Sequence, residues 1–380
     1  MNLKVILALT LVHFSGDFFS SFINPLLPVF VEKYSLTLTQ VGILTGISRV
    51  LAFVVQPCVG YFADRYRTRV FVLGGLILVA LFIPASGVAF GYLSLLVFVG
   101  LGSIGSSMFH PTCAGMIPDY SGYKPGLAMS IFNTGGTLAF GVGPIFITWF
   151  VGRYGLHAMP WTMLFGAAAL VYLVRVLPPP RGEGLRSLGF WGSIRDAFGE
   201  VWRPLSFLWL IMVLRSFTGQ SIFSFAPILL AERGNSLVYV GAMVSFFTVG
   251  GAVSGIVAGH LSDRMGFRKI FIVTHALSTP ALLLMLYVPG TWVHVTALFA
   301  GMLLLATLPL GVLMAQELAP RGKSMGSSLM MGLAFGTGGM LTPVTGKMAD
   351  MYGIHPVLVG VSFVPLITIA LAAALPELKR

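Results

Sequence analysis

The stretch that decides the fold is Gly60-Tyr-Phe-Ala-Asp64-Arg65-Tyr-Arg-Thr-Arg69, which returns as Gly259-His-Leu-Ser-Asp263-Arg264-Met-Gly-Phe-Arg268. The glycine, the aspartate, and the first and last arginines all recur at a constant offset of 199 residues (60 to 259). The match extends upstream without a gap. A repeat of this length indicates duplication of a half-protein. The further matched positions are Ile23, Pro28, Val41 and Gly42 with Ile222, Pro227, Val240 and Gly241.

The composition is that of a membrane protein. Of 380 residues, 56% are hydrophobic and 9% are charged, whereas a soluble domain carries about 25% charged residues. The mean hydropathy is +0.91. The sequence therefore predicts an all-α integral membrane protein with twelve transmembrane helices, each able to cross a bilayer core of about 30 Å. The apolar runs lie at about 4–31, 41–62, 70–91, 93–117, 126–151, 158–177, 205–231, 239–261, 269–288, 291–316, 324–349 and 356–376.

The net charge of +11 follows the membrane topology and does not indicate a nucleic-acid partner. Of the 23 Lys and Arg residues, two lie near the middle of predicted spans, four fall in loops or at span ends on one side, and the remaining 17 fall in loops, termini or span ends on the other side. Because Lys and Arg concentrate in cytoplasmic loops, both termini are predicted to be cytoplasmic and the protein to lie in the inner (plasma) membrane. The four outer residues are Lys33, Arg153, Arg233 and Lys347.

The only sizeable polar stretch is 178–204, which begins with three consecutive prolines. It is predicted to be a cytoplasmic linker between two pseudo-symmetric six-helix bundles at 1–177 and 205–380. The other loops are too short for a soluble catalytic domain. No P-loop, zinc-ligand spacing or nucleophile elbow occurs, so no cofactor or metal is expected. One chain contains a complete pathway, which predicts a functional monomer driven by an ion gradient.

The twelve runs, the central linker and the duplicated Gly-x-x-x-Asp-Arg loop resemble the major facilitator superfamily. Met108-Phe-His110-Pro111 in the fourth run, together with an aspartate in the first, resembles the fosmidomycin-resistance branch of efflux proteins. This resemblance implies secondary active transport by alternating access. The fifth run resembles the family's antiporter motif at Gly143-Pro144, although Phe146-Ile147 stand where further glycines are usual.

The duplicated loop is predicted to gate the inner mouth of the transporter. A carboxylate at a helix end can pair with arginine and with the positive end of a neighbouring helix. Such a latch forms when that face is closed and breaks when it opens. In the first copy, Arg67 stands where the family has glycine. The predicted gating residues are Gly60, Asp64, Arg65 and Arg69 with Gly259, Asp263, Arg264 and Arg268.

Three charged residues fall near the middle of predicted spans: Asp17, Arg49 and Arg215. An ionised side chain at that depth costs several kcal/mol, so each is a functional candidate. Asp17 also belongs to a polar stripe of the first span with His13, Ser20 or Ser21, and Asn24, which share one helical face. An Asp17–Arg49 bridge between adjacent helices is the structural alternative to a transport role.

Two arginines in one cavity would attract an anion such as a phosphonate, a phosphate ester or a carboxylate. Asp17 is the only carboxylate inside a predicted span and is therefore the candidate proton carrier. The rest of the predicted pocket consists of His110, which is equally compatible with a packing role, together with Gln220 and Asn133. The predicted partners are thus a small anionic molecule, protons and the lipid bilayer.

Gly143, Pro144 and Pro343 are predicted to be helix pivots, and the two prolines again match at offset 199. The leading hypothesis is a proton-coupled exporter of small anionic compounds or drugs, of the phosphonate type of which fosmidomycin is an example. The alternatives are a proton-coupled symporter for an organic acid, a membrane-embedded enzyme using His110 and Asp17 as acid and base, and a non-transporting sensor.

Overall fold

A computed structural model describes residues 1–65, 69–179, 201–319 and 329–377. Every regular element within those ranges is helical, so the all-α prediction is confirmed. Within the helices, a few side chains lie outside the description. They are those of Pro57, Pro125, Gly126, Ile256, Gly259, Asp263, Met331 and residues 60–65.

Seven α-helices lie before the predicted linker. A π-helical stretch, Val70–Gly74, precedes the fourth of them, and 3-10 turns at Ser86–Val88 and Leu156–Thr162 close two loops. The helices are α1 (Leu3–Ser20), α2 (Ile23–Tyr34), α3 (Leu38–Arg65), α4 (Gly75–Ala85), α5 (Tyr92–Ser121), α6 (Pro125–Tyr154) and α7 (Met163–Val176).

Nine α-helices follow in the described part of the second half, with a π-helical stretch at Leu329–Ala334. They are α8 (Trp202–Glu232), α9 (Leu237–Met265), α10 (Phe267–Tyr287), α11 (Trp292–Leu305), α12 (Thr307–Leu318), α13 (Phe335–Met340), α14 (Thr342–Tyr352), α15 (Ile354–Ser362) and α16 (Val364–Ala373).

Eleven helical stretches in the described ranges are long and apolar enough to cross a bilayer. They correspond to eleven of the twelve predicted runs. The remaining run, 324–349, begins among residues outside the description. Its described part comprises Leu329–Ala334, α13 and α14 and is not among the eleven stretches. The break at Leu341 directly precedes Thr342 and Pro343 at the start of α14, where the proline ring is tolerated.

The described residues pack into two compact units. The first comprises those within Met1–Leu36, Val50–Arg186 and Asn235–Ser245, and the second comprises those within Thr37–Arg49, Ser187–Gly234 and Phe246–Arg380. Each unit thus includes the first turns of one helix, α3 or α9, from the other half of the sequence. The division into bundles at 1–177 and 205–380 stays a prediction.

Within the first unit, α1 packs against both α5 and α6. Glycines set the distance between these helices, because they let backbones approach closely. A Cβ at Gly135 would lie 2.8 Å from the carbonyl oxygen of Thr10, and a Cβ at Gly136 would lie 2.6 Å from His13 Nε2. This close packing places the polar face of α1 against α6.

The sequence repeat is preserved as two matching helix crossings, one in each unit. In the second unit, a Cβ at Gly42 would lie 2.6 Å from the carbonyl oxygen of Thr342 and 2.7 Å from the α-carbon of Pro343. In the first unit, a Cβ at the equivalent Gly241 would lie 2.6 Å from the carbonyl oxygen of Pro144. Pro144 lies inside the continuous α6, whereas Pro343 follows a break. The pivot role of the two prolines stays a prediction.

Asp350, near the end of α14, caps the N-terminus of α3. Its carboxylate accepts hydrogen bonds from Leu38 N at 2.7 Å, Thr39 N at 2.9 Å and Thr39 Oγ1 at 2.6 Å. Free amide groups and the positive end of the helix dipole both favour an anion there. Partial burial opposes ionisation, but the bonds from Thr39 and Leu38 outweigh it and hold the pKa of Asp350 below its ordinary value.

Replacing Asp350 with alanine should lower the stability of the purified protein by about 0.5–2 kcal/mol, as expected for loss of a helix cap. Because the native pKa lies below the ordinary value of 3.8, the carboxylate stabilises the fold above that pH. The contribution is lost as pH falls through the lowered pKa. Thermal unfolding in detergent should therefore show a constant difference between wild type and D350A near neutral pH, narrowing only in acid. The exposed Glu32→Ala provides the control, and an equal effect there would contradict the capping role.

Candidate membrane-embedded site

The first unit contains a buried cluster of two histidines and one aspartate, here called the His–Asp–His cluster. His13 and Asp17 lie one turn apart on α1 and are 8% and 5% exposed. His13 Nε2 lies 3.1 Å from Asp17 Oδ2. The i, i+4 spacing that places both side chains on one helical face thus produces a direct contact.

The third member of the cluster is His110, from α5. Its Nε2 atom lies 3.0 Å from Asp17 Oδ1. Each oxygen of the one carboxylate therefore faces a different imidazole. The structure thus brings together three of the predicted pocket residues, from two helices, and gives the buried carboxylate two ring nitrogens as partners.

Each imidazole ring also contacts a backbone carbonyl oxygen through Nδ1, the ring nitrogen that does not face Asp17. His13 Nδ1 lies 2.9 Å from the carbonyl oxygen of Phe132, and His110 Nδ1 lies 2.8 Å from that of Ser106. A carbonyl oxygen can only accept, so each Nδ1 carries a proton and donates it. The Ser106 hydroxyl is a longer contact of His110 Nδ1, at 3.3 Å. Both rings consequently direct Nε2 at Asp17.

Aromatic rings and a glycine complete the walls of the cluster. Phe132 stacks on His13 and Phe109 stacks on His110, each pair with ring centroids 4.2 Å apart. A Cβ at Gly136 would lie 2.6 Å from His13 Nε2 and 2.7 Å from Asp17 Oδ2, so a side chain there would displace the contact. The apolar walls strengthen electrostatic interactions inside the cluster by lowering the local dielectric constant.

The ligand-type atoms of these three residues all lie within 4.8 Å of one another. In a coordination sphere, imidazole and carboxylate donors would stand about 2.0–2.2 Å from one shared ion. Here the two carboxylate oxygens face separate imidazoles instead of converging with them on one point. The arrangement is that of a hydrogen-bonded chain, and we do not identify it as a metal site.

Arg215 lies in the second unit, on α8. It is 2% exposed, and its Nε and Nη2 atoms have no hydrogen-bond partner among the described residues. A buried guanidinium normally has a partner, because desolvation of an ion is costly. Arg215 therefore leaves donor capacity unused in the interior of its unit, as a binding group for an anion would.

Arg49 and His275 are the other notable polar side chains of the second unit. Arg49 stacks over the Phe335 ring at 4.5 Å. The contacts described above for Asp17 are both with histidines, and the bridge to Arg49 that the sequence allows is not among them. His275 is fully buried and is held by Thr307 Oγ1 at 3.2 Å and Thr368 Oγ1 at 2.7 Å. Its ring joins α10 to α12 and α16, which is a structural role.

The remaining predicted pocket residues do not join the cluster. The polar stripe of the first span is interrupted after Ser20, where α1 ends, and Asn24 lies in α2. Gln220 is buried in α8, and Asn133 is exposed on α6 beside the Phe132 carbonyl that anchors His13. Gly143 packs against α1 next to the Ser21 side chain.

Only part of the duplicated loop falls within the description. Arg69 donates from Nη1 to the carbonyl oxygen of Val174 at 3.0 Å, and Arg268 Nη1 lies 3.7 Å from Glu377 Oε1. Arg264 is exposed at the end of α9. The predicted latch therefore stays a prediction. The side chains outside the description are those of Gly60, Asp64, Arg65, Gly259 and Asp263.

The sequence predicts all three members of the cluster as pocket residues and places His13 and Asp17 on one helical face, but it does not predict the contact of His110 with Asp17. It does not indicate the Phe132 carbonyl, the Ser106 carbonyl or Gly136, since backbone groups and a glycine carry no chemical signal of their own. Two features could have suggested them. Ser106 precedes His110 by one helical turn, and Gly135-Gly136 follows Phe132 by one turn on α6.

Bilayer-crossing helices that bury ionisable groups are typical of membrane transport proteins. The sequence model of the Major Facilitator Superfamily matches residues 9–343. The chain belongs to that family and is a transporter, not an enzyme. The predicted fold class and family resemblance are thereby confirmed.

Similar proteins extend over nearly the whole chain. The fosmidomycin resistance protein of Escherichia coli (strain K12) is 28% identical over 95% of this chain and 90% of its own length. The uncharacterised MFS-type transporter YfnC of Bacillus subtilis (strain 168) is 26% identical over 98% of this chain and 93% of its own length. The resemblance to the fosmidomycin-resistance branch is thus confirmed.

Two solved structures share the fold. A bacterial homologue of the human lysosomal transporter Spinster, in an inward-facing unoccupied conformation, superimposes with a TM-score of 0.81 at 19% identity, covering 98% of this chain and 96% of its own. The nucleoside transporter NupG gives a TM-score of 0.79 at 13% identity, with full coverage of both chains. At these identities the likeness concerns the fold alone.

Proposed function

We propose that this transporter is a proton-coupled exporter of small anionic compounds, with phosphonates such as fosmidomycin as the first substrates to test. The observation that carries the proposal is the His–Asp–His cluster. Asp17 is the only carboxylate that the sequence places inside a span, and it lies between two imidazoles in an apolar environment. Imidazole and carboxylate groups can exchange protons near neutral pH when their surroundings change.

Alternating access supplies the change in surroundings. In one state the cluster would open to the predicted outer side and take up protons, and in the other it would open to the cytoplasm and release them. The transmembrane proton gradient would then drive the substrate in the opposite direction. The name of the Escherichia coli relative, a fosmidomycin resistance protein, supports export, because outward transport of a drug lowers its concentration in the cell.

Arg215 is the proposed anion ligand. Its unpartnered donors suit the planar oxygens of a phosphonate or carboxylate, which guanidinium groups bind in a bidentate manner. Arg49, stacked on Phe335, is the second proposed cationic group. The proposal keeps the predicted setting: a monomer in the plasma membrane, both termini cytoplasmic, and two six-helix bundles joined by a linker.

Uptake of an organic acid by proton symport is the second candidate, and an electrostatic argument favours it. Proton loading makes the cluster more positive, and a positive cluster attracts an anion, so simple electrostatics favours binding both together. Export by antiport requires instead that protonation favour a conformation with weak anion affinity. The two mechanisms use the same residues and differ in the gradient that drives accumulation.

Purified protein in proteoliposomes decides between these mechanisms. A pH gradient is imposed in either direction, and uptake of fosmidomycin, of a simple carboxylate and of an amphipathic cation is measured. Antiport predicts accumulation of fosmidomycin in vesicles with an acidic interior, whereas symport predicts accumulation from an acidic exterior. Protein-free vesicles are the control. A preference for the cation would contradict the role of Arg215, and pH-independent transport would contradict proton coupling.

A further inference from the structure

The geometry of the His–Asp–His cluster defines how many protons it holds. Both Nδ1 atoms are committed as donors, to the carbonyl oxygens of Phe132 and Ser106. In a neutral imidazole only one ring nitrogen carries a proton. With Nδ1 protonated, each neutral ring would present a bare Nε2 lone pair to the carboxylate.

Yet each Nε2 lies at hydrogen-bond distance from a different oxygen of Asp17, 3.1 Å for His13 and 3.0 Å for His110. Two lone pairs facing each other at that distance repel, so each contact requires one proton between nitrogen and oxygen. The two contacts use separate oxygens and separate rings, and one proton cannot serve both. Formation of both hydrogen bonds therefore requires two protons beyond the two held at Nδ1.

We propose that the cluster is a two-proton carrier, which takes up and releases two protons for each substrate molecule transported. This inference rests on the proposed proton coupling and adds its stoichiometry. With both protons bound, one carboxylate and two imidazolium rings give the cluster a formal charge of +1. With both released, the charge is −1. The load is thus shared by three groups instead of being carried by Asp17 alone.

The helices packed around the cluster contain few other titratable groups that could bind the transported protons. Besides α5 and α6, α1 packs against α4 and α7. The sequence of α4 contains no titratable side chain. Those of α7 are Tyr172 and Arg175, in its last turns, and Lys4 lies in the first turn of α1. Apart from His110 and the buried thiol of Cys113, the titratable groups of α5 and α6 lie toward the helix ends: Tyr92, Asp119, Tyr120, Arg153 and Tyr154.

Loss of either histidine should remove one proton and leave the other. Glutamine at position 13 or 110 can still donate an N–H to the carboxylate, but it does not titrate. The remaining imidazole and Asp17 would then exchange a single proton. The two single variants are therefore expected to behave alike although their residues come from different helices, α1 and α5.

The test is a thermodynamic measurement on the full-length protein in proteoliposomes. Valinomycin and equal potassium hold the membrane potential at zero, a pH gradient of about one unit is imposed, and the fosmidomycin gradient that gives zero net flux is determined. Each coupled proton contributes a tenfold concentration ratio per pH unit. We expect a ratio of about 100 for wild type and about 10 for His13→Gln and for His110→Gln. The partly exposed His294 on α11 provides the control, His294→Gln, with a ratio of about 100.

The possible outcomes distinguish the two-proton inference from the proposed function on which it rests. A wild-type ratio of about 10 would overturn the two-proton inference and leave proton coupling intact, whereas a ratio independent of pH would overturn the proposed function itself. Abolition of wild-type flux by a chelator, with recovery on adding Zn²⁺, would show a metal site in place of the proton carrier. Proton release on fosmidomycin binding, measured in detergent with a pH dye, supplies a second readout that needs no variant. Two protons per bound molecule support the inference, and one contradicts it.

Discussion

Asp17→Asn is expected to abolish proton-driven transport while leaving substrate exchange at equal pH measurable. Asparagine has nearly the shape of aspartate but cannot carry the charge that stabilises the two protonated imidazoles. Removing one partner from a buried charge cluster costs about 3–5 kcal/mol. If this cost falls on the proton-loaded state, its population drops by at least about 100-fold, and pH-driven flux should fall with it. Counterflow of fosmidomycin without a gradient, which requires no proton transfer, reports whether the variant is folded and binds substrate.

Asp119→Asn is the matched control, since Asp119 is an exposed carboxylate near the end of α5. It should retain wild-type flux in both assays. If Asp17→Asn retained pH-driven accumulation, the cluster could not be the coupling site. Loss of counterflow together with pH-driven flux, in a variant whose thermal unfolding in detergent matches that of wild type, would place Asp17 in substrate binding and equally contradict a pure proton role.

Arg215→Met is expected to make the protein more stable and inactive towards anions. The guanidinium is 2% exposed and leaves two nitrogen atoms without partners. Replacing buried charge with apolar side chains of similar size raises the free energy of unfolding by up to about 1–4 kcal/mol. Loss of two charge-assisted hydrogen bonds, each about 1.5–3 kcal/mol, should weaken anion binding by at least about 100-fold.

Thermal unfolding in detergent and fosmidomycin binding, measured on the same preparations, separate these effects. Arg203→Met is the control, because Arg203 is exposed and stacks over Trp202 at the start of α8. Arg215→Lys keeps the charge but not the planar pair of donors, so intermediate affinity is expected. A destabilised Arg215→Met, or one with unchanged anion affinity, would show that Arg215 has structural partners and is no anion ligand.

Much of the fold could be predicted from residue order alone. Apolar runs must form helices in a bilayer, since no water is available to satisfy the backbone, and the 199-residue repeat required two related halves. Local interruptions of the helices mark the limit. The composition of the run at 324–349 predicts a continuous span, whereas its helix is interrupted at Leu341 before Pro343, and two other runs are interrupted at Ala306 and Phe363. Composition averaged over a long run does not register such local changes.

The candidate site was predictable only in part. His13 and Asp17 share a helix, so helical geometry alone places their side chains together. The contact of His110 with Asp17 depends on how closely α1 approaches α5 and α6, which glycines such as Gly136 determine. His275 shows the same dependence, because nothing in its sequence neighbourhood indicates that Thr307 and Thr368 bury and bind it.

The sequence by itself determined the membrane class, the duplication and the presence of buried charge, because these follow from composition, spacing and the cost of placing ions in hydrocarbon. Only the tertiary structure decided which groups pair. It gave Asp17 two histidines as partners and left two guanidinium nitrogens of Arg215 without any among the residues described. Hydrogen bonds act over about 3 Å. Contacts of that range between helices distant in sequence depend on packing and cannot be derived from residue order alone.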